Sequence, residues 1–334
     1  MTSPAPILQI ENLSVTFTGG SKPVRAVDGV DLALGTGEVV ALLGESGSGK
    51  SVTLRSILRL HRPSTTRIDG RISVAGTDVL SLTGAALSSF RGKTVSMIFQ
   101  EPMLAMDPVY TVGQQIIESV RAHEQISKED ARKRALELFE RVRIPSAARR
   151  LDNYPHEMSG GMRQRAMIAL ALACRPKILL ADEPTTALDA TVQVQILLLL
   201  RELQREFGLS VIFVTHDIGV AVEVADRISV MYAGRIVEIG PVRDIIRSPR
   251  HPYTVGLLST RGHGGSLSGN RLPAIPGNPP DLTNLPPGCA FSPRCSMAAD
   301  ACRLTAPEAT TVSPGHMARC LRIDETTPQL IHTA

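Results

Sequence analysis

Three short segments combine polar and glycine residues at intervals that suit phosphate, metal and proton chemistry. The first is Gly44-Glu45-Ser46-Gly47-Ser48-Gly49-Lys50-Ser51, which fits G-x-x-x-x-G-K-[ST] and runs on through Val52 into a helical stretch. Its glycines let successive backbone N–H groups turn inward around phosphates, and the helix N-terminus adds its dipole. Lys50 reaches the β- and γ-phosphates, and Ser51 offers a hydroxyl to Mg²⁺. The second segment is Asp182-Glu183, which closes the apolar run Ile178-Leu179-Leu180-Ala181. A carboxylate at the C-terminal end of a buried strand stands at a sheet's ligand edge. Asp182 suits orienting the metal, and Glu183 suits a general base for water. An acidic pair by itself also describes a solvated strand end; the phosphate loop upstream favours the catalytic reading. The third is Ser159-Gly160-Gly161-Met162, in which Ser159 caps a helix and leaves glycine N–H groups at its start. An ordinary helix cap would look the same. A second anion-binding helix start beside a complete phosphate cradle is best resolved if it closes the nucleotide site of another subunit in a two-fold arrangement.

Cysteine placement adds a fourth constellation. Cys289, Cys295, Cys302 and Cys320 cluster near the C-terminus, whereas Cys174 lies alone in an apolar helical run and reads as a packed thiol. In a reducing cytosol such a cluster is more a metal or cluster site than two disulfides. The spacing C-x5-C-x6-C-x17-C matches neither a zinc ribbon nor a ferredoxin run, and four thiolates satisfy tetrahedral Zn²⁺ or an iron–sulfur cluster equally. Unligated or oxidised cysteines remain a further reading. His316 is a substitute ligand candidate or simply an exposed side chain.

Hydrophobic pattern supplies the scaffold for these groups. Residues 7–17 alternate like an early strand. Residues 38–43, 177–181 and 210–215 are short apolar runs suited to buried strands of a largely parallel sheet with helices between. Residues 101–165 are expected to be a mostly helical insertion, with Ser127 and Asp130 resembling a capping box ahead of Ala131, Ala135, Leu138, Phe139 and Val142. Met97, Met103, Met106, Met158 and Met162 suit either a groove for a partner helix or gap-filling core. From Arg261 to Gly288, six glycines and six prolines mark a boundary after about residue 258.

Composition bounds the reading. The 334 residues suggest two domains, and 43% hydrophobic with 20% charged residues excludes wholesale disorder. Net charge is only +4 and spread along a chain with no Trp, 7 Phe and 4 Tyr, which argues against nucleic-acid binding. The longest apolar stretch, Ala166 to Cys174, is far short of the roughly 20 residues that span a bilayer. The start MTSPAPILQIEN lacks the basic and apolar regions of a secretory signal, so a soluble, cytosolic chain is expected.

Taken together, these motifs resemble the ATP-binding cassette (ABC) family over roughly residues 7–258. Gln100 in MIFQEP looks like the glutamine that touches Mg²⁺ and senses the membrane partner. MSGGM is similar to the family signature, with Met162 where glutamine is commoner. Ala187-Leu188-Asp189 resembles the D-loop, His216 in VTHD the histidine on the γ-phosphate, and Phe17 the aromatic that stacks on adenine, although a strand-ending Phe is also ordinary core. YPHEMSGGMRQRAMIALALA, ADEPTTALDATVQVQIL and SPRHPYTVGLL resemble more narrowly the ATPase subunits of oligopeptide/dipeptide importers, a group that also serves nickel. The tail IPGNPPDLTNLPPGCAFSPRC is similar to that group's C-terminal extension, where some members bind a [4Fe–4S] cluster through cysteines matching Cys289, Cys295, Cys302 and Cys320.

The resemblance implies an α/β fold. Residues 1–258 would be an ABC nucleotide-binding domain, with a RecA-like core, an antiparallel β subdomain and a helical subdomain at about 101–165. Residues 259–334 would be the extension. It implies ATP and Mg²⁺, a second, homologous but non-identical ATPase subunit, two permease subunits, an extracytoplasmic peptide-binding protein, and a peripheral position on the cytoplasmic membrane face. Two ATP molecules would be sandwiched between paired subunits, with Glu183 assisting hydrolysis. A soluble cassette ATPase acting on DNA or ribosomes is the competing class; the single cassette and the absence of sustained heptads disfavour it. The cysteine tail as a redox or iron sensor would supplement the importer reading.

Overall fold

The computed structural model describes residues 5–186, 188–259 and 275–326. The first half of the glycine- and proline-rich stretch, residues 261–274, therefore lies outside the described residues. The chain divides into two compact units.

One unit is built mainly from residues 34–38 and 78–214. Its centre is a parallel set of strands, Val95–Ile98, Ile178–Asp182 and Ser210–Thr215, in that order, with Val95 opposite Ile178 and Ile178 opposite Ser210. Every residue of the latter two strands is buried, as parallel strands covered on both faces require. Four long helices, Val112–His123, Lys128–Arg141, Gly160–Leu172 and Ala190–Phe207, belong to this unit. The helix Gly160–Leu172 packs against the other three and against the strand Val95–Ile98.

Local sequence explains these helices. Thr111 and Gln114 form a reciprocal capping box. Ser127 accepts a hydrogen bond from the Asp130 N–H at 3.0 Å, and Ala131, Ala135, Leu138, Phe139 and Val142 are buried on one stripe as their spacing predicts. The segment 101–165 is thus helical as expected, although its last helix runs on to Leu172. Cys174 is a packed thiol in the turn just beyond that helix, 3.6 Å from the Ser119 carbonyl oxygen, and burial pushes its pKa up. Of the methionines, Met97, Met106 and Met158 are core and Met103 is exposed.

The other unit comprises residues 8–33, 39–77 and 215 onward. It contains an antiparallel pair, Leu8–Phe17 with Thr66–Val74, carrying a bulge between Glu11 and Ser14. It also holds a mixed sheet. Val39–Leu43 runs parallel to Arg227–Tyr232, which turns at Ala233-Gly234 into the antiparallel strand Arg235–Pro241. His316–Ala318 and Thr310–Ser313 then add antiparallel strands beyond it. The expectation of a largely parallel sheet therefore holds for one unit and not for this one. A turn as tight as Ala233-Gly234 can only join antiparallel neighbours, because a parallel partner needs a long crossover.

The tail contributes side chains to the core here. Phe291, Leu282 and Leu285 pack with Tyr232, Tyr253, Leu257 and Ile218. The Tyr232, Tyr253 and Phe291 rings sit 4.7, 5.2 and 5.4 Å apart in tilted and edge-on pairs, each worth about 0.5–1.5 kcal/mol beyond area burial.

Candidate functional site

The glycine loop joins the strand Val39–Leu43 to the helix Lys50–Ile57. Two of its glycines are dictated by close approach. A Cβ on Gly44 would lie 2.2 Å from the Met231 carbonyl oxygen. Gly49 sits at φ +105°, where a Cβ would meet the Ala26 carbonyl oxygen at 2.5 Å. Gly49 precedes the helix and supplies no side-chain cap; its carbonyl oxygen accepts from the Thr53 N–H at 2.9 Å. Lys50 is 4% exposed, and its Nζ donates to the carbonyl oxygens of Gly44 (2.8 Å) and Glu45 (2.9 Å), curling the loop over its own ammonium. The buried Ser48 Oγ has no hydrogen-bond partner among the described residues. A cradle too tight for a Cβ, an uncapped helix start and an inward ammonium together fit a polyphosphate.

Glu45 is held from elsewhere in the same unit. Its N–H donates to Tyr253 Oη at 2.8 Å, and its carboxylate takes a two-pronged ion pair from Arg294 at 2.6 and 3.0 Å. Phe17 ends its strand half-buried, its ring edge-on to His61 at 5.5 Å. His216 is exposed, and Asp217 beside it caps the helix Ile218–Val224.

In the other unit, Asp182 closes its strand at 1% exposure. Glu183 follows at φ +46°, left-handed backbone that costs a non-glycine residue about 1 kcal/mol or more. Its Oε2 accepts from Gln100 Nε2 at 3.2 Å and from Thr186 Oγ1 at 3.0 Å. The structure thus brings Gln100, Asp182 and Glu183 together. Thr186, which aims the Glu183 carboxylate, has no distinctive motif of its own; its position three residues after Glu183 is the one signal in the sequence that points to it.

Ser159 caps the helix Gly160–Leu172 by accepting from the Met162 N–H at 3.3 Å, with Gly160 and Gly161 as its first residues. Asp189 likewise caps the helix Ala190–Phe207 through the Val192 N–H at 3.0 Å. Ala187 of the Ala187-Leu188-Asp189 motif lies outside the described residues.

Cys289, Cys295, Cys302 and Cys320 are free thiols that line one small cavity with Phe291 and Met297. The Cys289 N–H donates to the Cys302 carbonyl oxygen at 2.8 Å. Burial pushes the Cys289, Cys295 and Cys320 thiols up, Cys320 to about 11, and the neighbouring sulfurs add to the rise. Convergence on one cavity fits a shared group, although among the described residues no three His, Cys, Asp or Glu side chains are set to hold a metal ion. His316 is neither a ligand nor exposed. It is 2% exposed and its Nε2 lies 2.8 Å from Glu238 Oε1, because a buried imidazole needs a partner and this carboxylate supplies it.

Comparison with known proteins agrees with this arrangement. Residues 27–186 match the ABC transporter family, and residues 237–302 match the oligopeptide/dipeptide transporter C-terminal region. The chain is 50% identical over 331 residues, 96% of its length and 98% of the other's, to a protein of Brucella abortus (strain 2308) named "Putative peptide import ATP-binding protein". A second protein of that name and strain is 49% identical over 95% of each chain. Among solved structures, the ATP-binding cassette MJ0796, as a post-hydrolysis dimer bound to ADP and Pi, superposes with a TM-score of 0.64 at 32% identity. The match covers 71% of this chain and 99% of that one. The cbiO1 subunit of the cbiONQ transporter complex of Clostridium perfringens gives 0.62 at 28% identity over 72% and 90%. With its phosphate loop, its strand-ending acidic pair and this breadth of similarity, the chain belongs to the ABC transporter family of ATP-binding proteins and carries the C-terminal region of its oligopeptide/dipeptide branch.

Proposed function

We propose that this chain is the ATP-hydrolysing subunit of an importer that carries di- or oligopeptides across the plasma membrane. The observation that carries the reading is the glycine cradle closed by Lys50 at the head of an uncapped helix, in a chain 50% identical to proteins named for peptide import. Gly44 to Val52 bind the ATP phosphates, Ser51, Gln100 and Asp182 serve Mg²⁺, and Phe17 stacks on adenine. Glu183 takes the proton of the attacking water, His216 steadies the γ-phosphate, and Gln100 aims the Glu183 carboxylate. Ser159, Gly160, Gly161 and Asp189 face the nucleotide of a second ATPase subunit. Residues 1–258 form the cassette, with its helical part at 101–165, and residues 259–334 the extension.

Among the described residues no helix is long and apolar enough to cross a membrane, and the transport path is assigned to partner permeases. The chain docks on their cytoplasmic face, and an extracytoplasmic binding protein selects the peptide. In vesicles reconstituted with permeases and binding protein, peptide uptake should require ATP and cease with Glu183→Gln. ATP binding should persist in that variant, whereas undiminished hydrolysis would overturn the base assignment.

The four clustered cysteines would hold a [4Fe–4S] group, which supplies one-electron redox chemistry when bound. The single cavity they line supports this. Anaerobic purification with assay of iron, acid-labile sulfide and zinc should give iron and sulfide that are lost in Cys302→Ser. Zinc without sulfide would make the tail a structural clip.

A further inference from the structure

The cysteine-bearing extension reaches the nucleotide loop through the Arg294 side chain. Arg294 lies in the short 3-10 turn Ser292–Arg294, between Cys289 and Cys295. That turn is pinned at both ends: the Ser292 N–H donates to the Cys289 carbonyl oxygen, and the Cys295 N–H to that of Ser292. From there the guanidinium reaches Glu45, the second residue of the glycine loop, with Nη1 2.6 Å and Nη2 3.0 Å from its two carboxylate oxygens. Arg294 is only 5% exposed at its side chain and Glu45 27%. Water screens such a pair little, and the fork geometry fixes direction as well as distance. The guanidinium is itself immobilised. Its Nε donates to the Pro276 carbonyl oxygen at 2.8 Å, and it lies over the Tyr232 and Phe291 rings at 5.9 and 6.0 Å.

The same glutamate is held at two further points. Its N–H donates to Tyr253 Oη, and its carbonyl oxygen accepts from Lys50 Nζ at 2.9 Å. Lys50 therefore leans on a residue whose side chain the cysteine segment grips. Moving Arg294 moves Glu45, and with it one of the carbonyl oxygens that positions the phosphate-binding ammonium.

We propose that Arg294 is a positioning residue for ATP binding, through which the cysteine-bearing extension sets the geometry of the glycine loop. The proposal rests on the ATP-binding reading above. It makes the extension a working part of the nucleotide site rather than an attachment, and it gives the state of the four-cysteine cavity a short mechanical route, Cys289/Cys295 to Arg294 to Glu45 to Lys50, to ATP affinity.

The test is a double-mutant cycle on the full chain, with the Kd for a fluorescent ATP analogue and the thermal midpoint measured for each variant. Arg294→Met and Glu45→Gln should each weaken nucleotide binding about tenfold, and the double variant should be no weaker than either single. The exchanged pair, Arg294→Glu with Glu45→Arg, should recover affinity over Arg294→Glu alone. The folded control is Arg294→Lys, which keeps the charge but not the fork. It should keep the wild-type thermal midpoint and still bind ATP several-fold more weakly. Unchanged Kd in Arg294→Met and Arg294→Lys, or strictly additive losses in the double variant, would overturn the proposal while leaving the ATPase reading intact. A wild-type chain that does not bind the analogue would overturn both.

Discussion

Two helices of this protein begin at glycine-rich turns, and they begin differently. At Lys50–Ile57 the residue before the helix is Gly49 at φ +105°, and no cap side chain serves the first turn. At Gly160–Leu172 the preceding residue is Ser159, whose hydroxyl accepts from the Met162 N–H. Each helix start carries a partial positive charge. The first has no side-chain cap and folds an ammonium, 4% exposed, beneath the loop, an arrangement that suits a polyphosphate. The second has answered one of its own N–H groups, and no lysine is buried in its helix. It suits a weaker, supplementary contact with a nucleotide already held. The difference is what the proposed roles require, a primary phosphate site at the first and a completing one at the second.

Substitutions put that difference to the test. The largest effect should come from Lys50→Ala, which removes both the phosphate partner and the hydrogen bonds to the Gly44 and Glu45 carbonyls. Nucleotide binding by fluorescence titration should fall by about a hundredfold or more. Next, Glu183→Gln should lower steady-state phosphate release by roughly 10²–10⁴-fold while the Kd for ATP stays near wild type. A parallel loss of affinity would show that this carboxylate serves binding. Ser159→Ala should leave the single chain's ATP affinity unchanged but cost about 1 kcal/mol in urea unfolding and lower the turnover of the assembled transporter. Weakened binding in the single chain would erase the distinction between the two helix starts.

The smallest effect concerns pH, and it bears on the unit that holds the glycine loop. His251 is fully enclosed, and burial pulls its pKa down from 6.5 to about 4 despite the nearby Glu238. Its Nδ1 accepts from the Tyr253 N–H at 3.1 Å, its backbone N–H donates to Glu238, and His316 faces the same carboxylate. Between pH 6.5 and about 4 the unfolded chain binds the proton that the folded chain refuses, so stability rises with pH across that window. The thermal midpoint should drop on acidification from pH 6.5, and His251→Gln should flatten that dependence. A variant with an undiminished slope would place the titration elsewhere.

Much of the fold is legible in the sequence because its signals are local. The glycines of the loop announce a backbone that a Cβ would block, and Gly44 and Gly49 meet that condition. Ser127, Ser159 and the spacing of Ala131, Ala135, Leu138 and Phe139 predict caps and a buried face that are present. Strands at Leu8–Phe17, Val39–Leu43, Ile178–Asp182 and Ser210–Thr215 match the sequence pattern nearly to the residue, because the first, antiparallel, alternates and the buried parallel three are continuous apolar runs. Other strands leave little trace. Thr66–Val74 is mostly exposed at its start, with no strong alternation, and His316–Ala318 is three residues long. The burial of His316 is hidden for a related reason. Its partner Glu238 lies 78 positions away in sequence, and nothing near position 316 signals an enclosed site.

Residue type and short-range spacing are enough to nominate the chemistry proposed for this protein: which groups suit cradling phosphates, orienting a cation and taking a proton. Each of those capacities resides within one turn or at one strand end. How the groups are supported is a property of the closed fold. Thr186 and Gln100 converge on one oxygen of Glu183. Arg294 grips Glu45 across 249 positions of chain, and four cysteines spread over residues 289–320 line one cavity. These contacts stabilise the protein only after the chain has closed long loops against their entropy, and a one-dimensional pattern carries no record of which loops close.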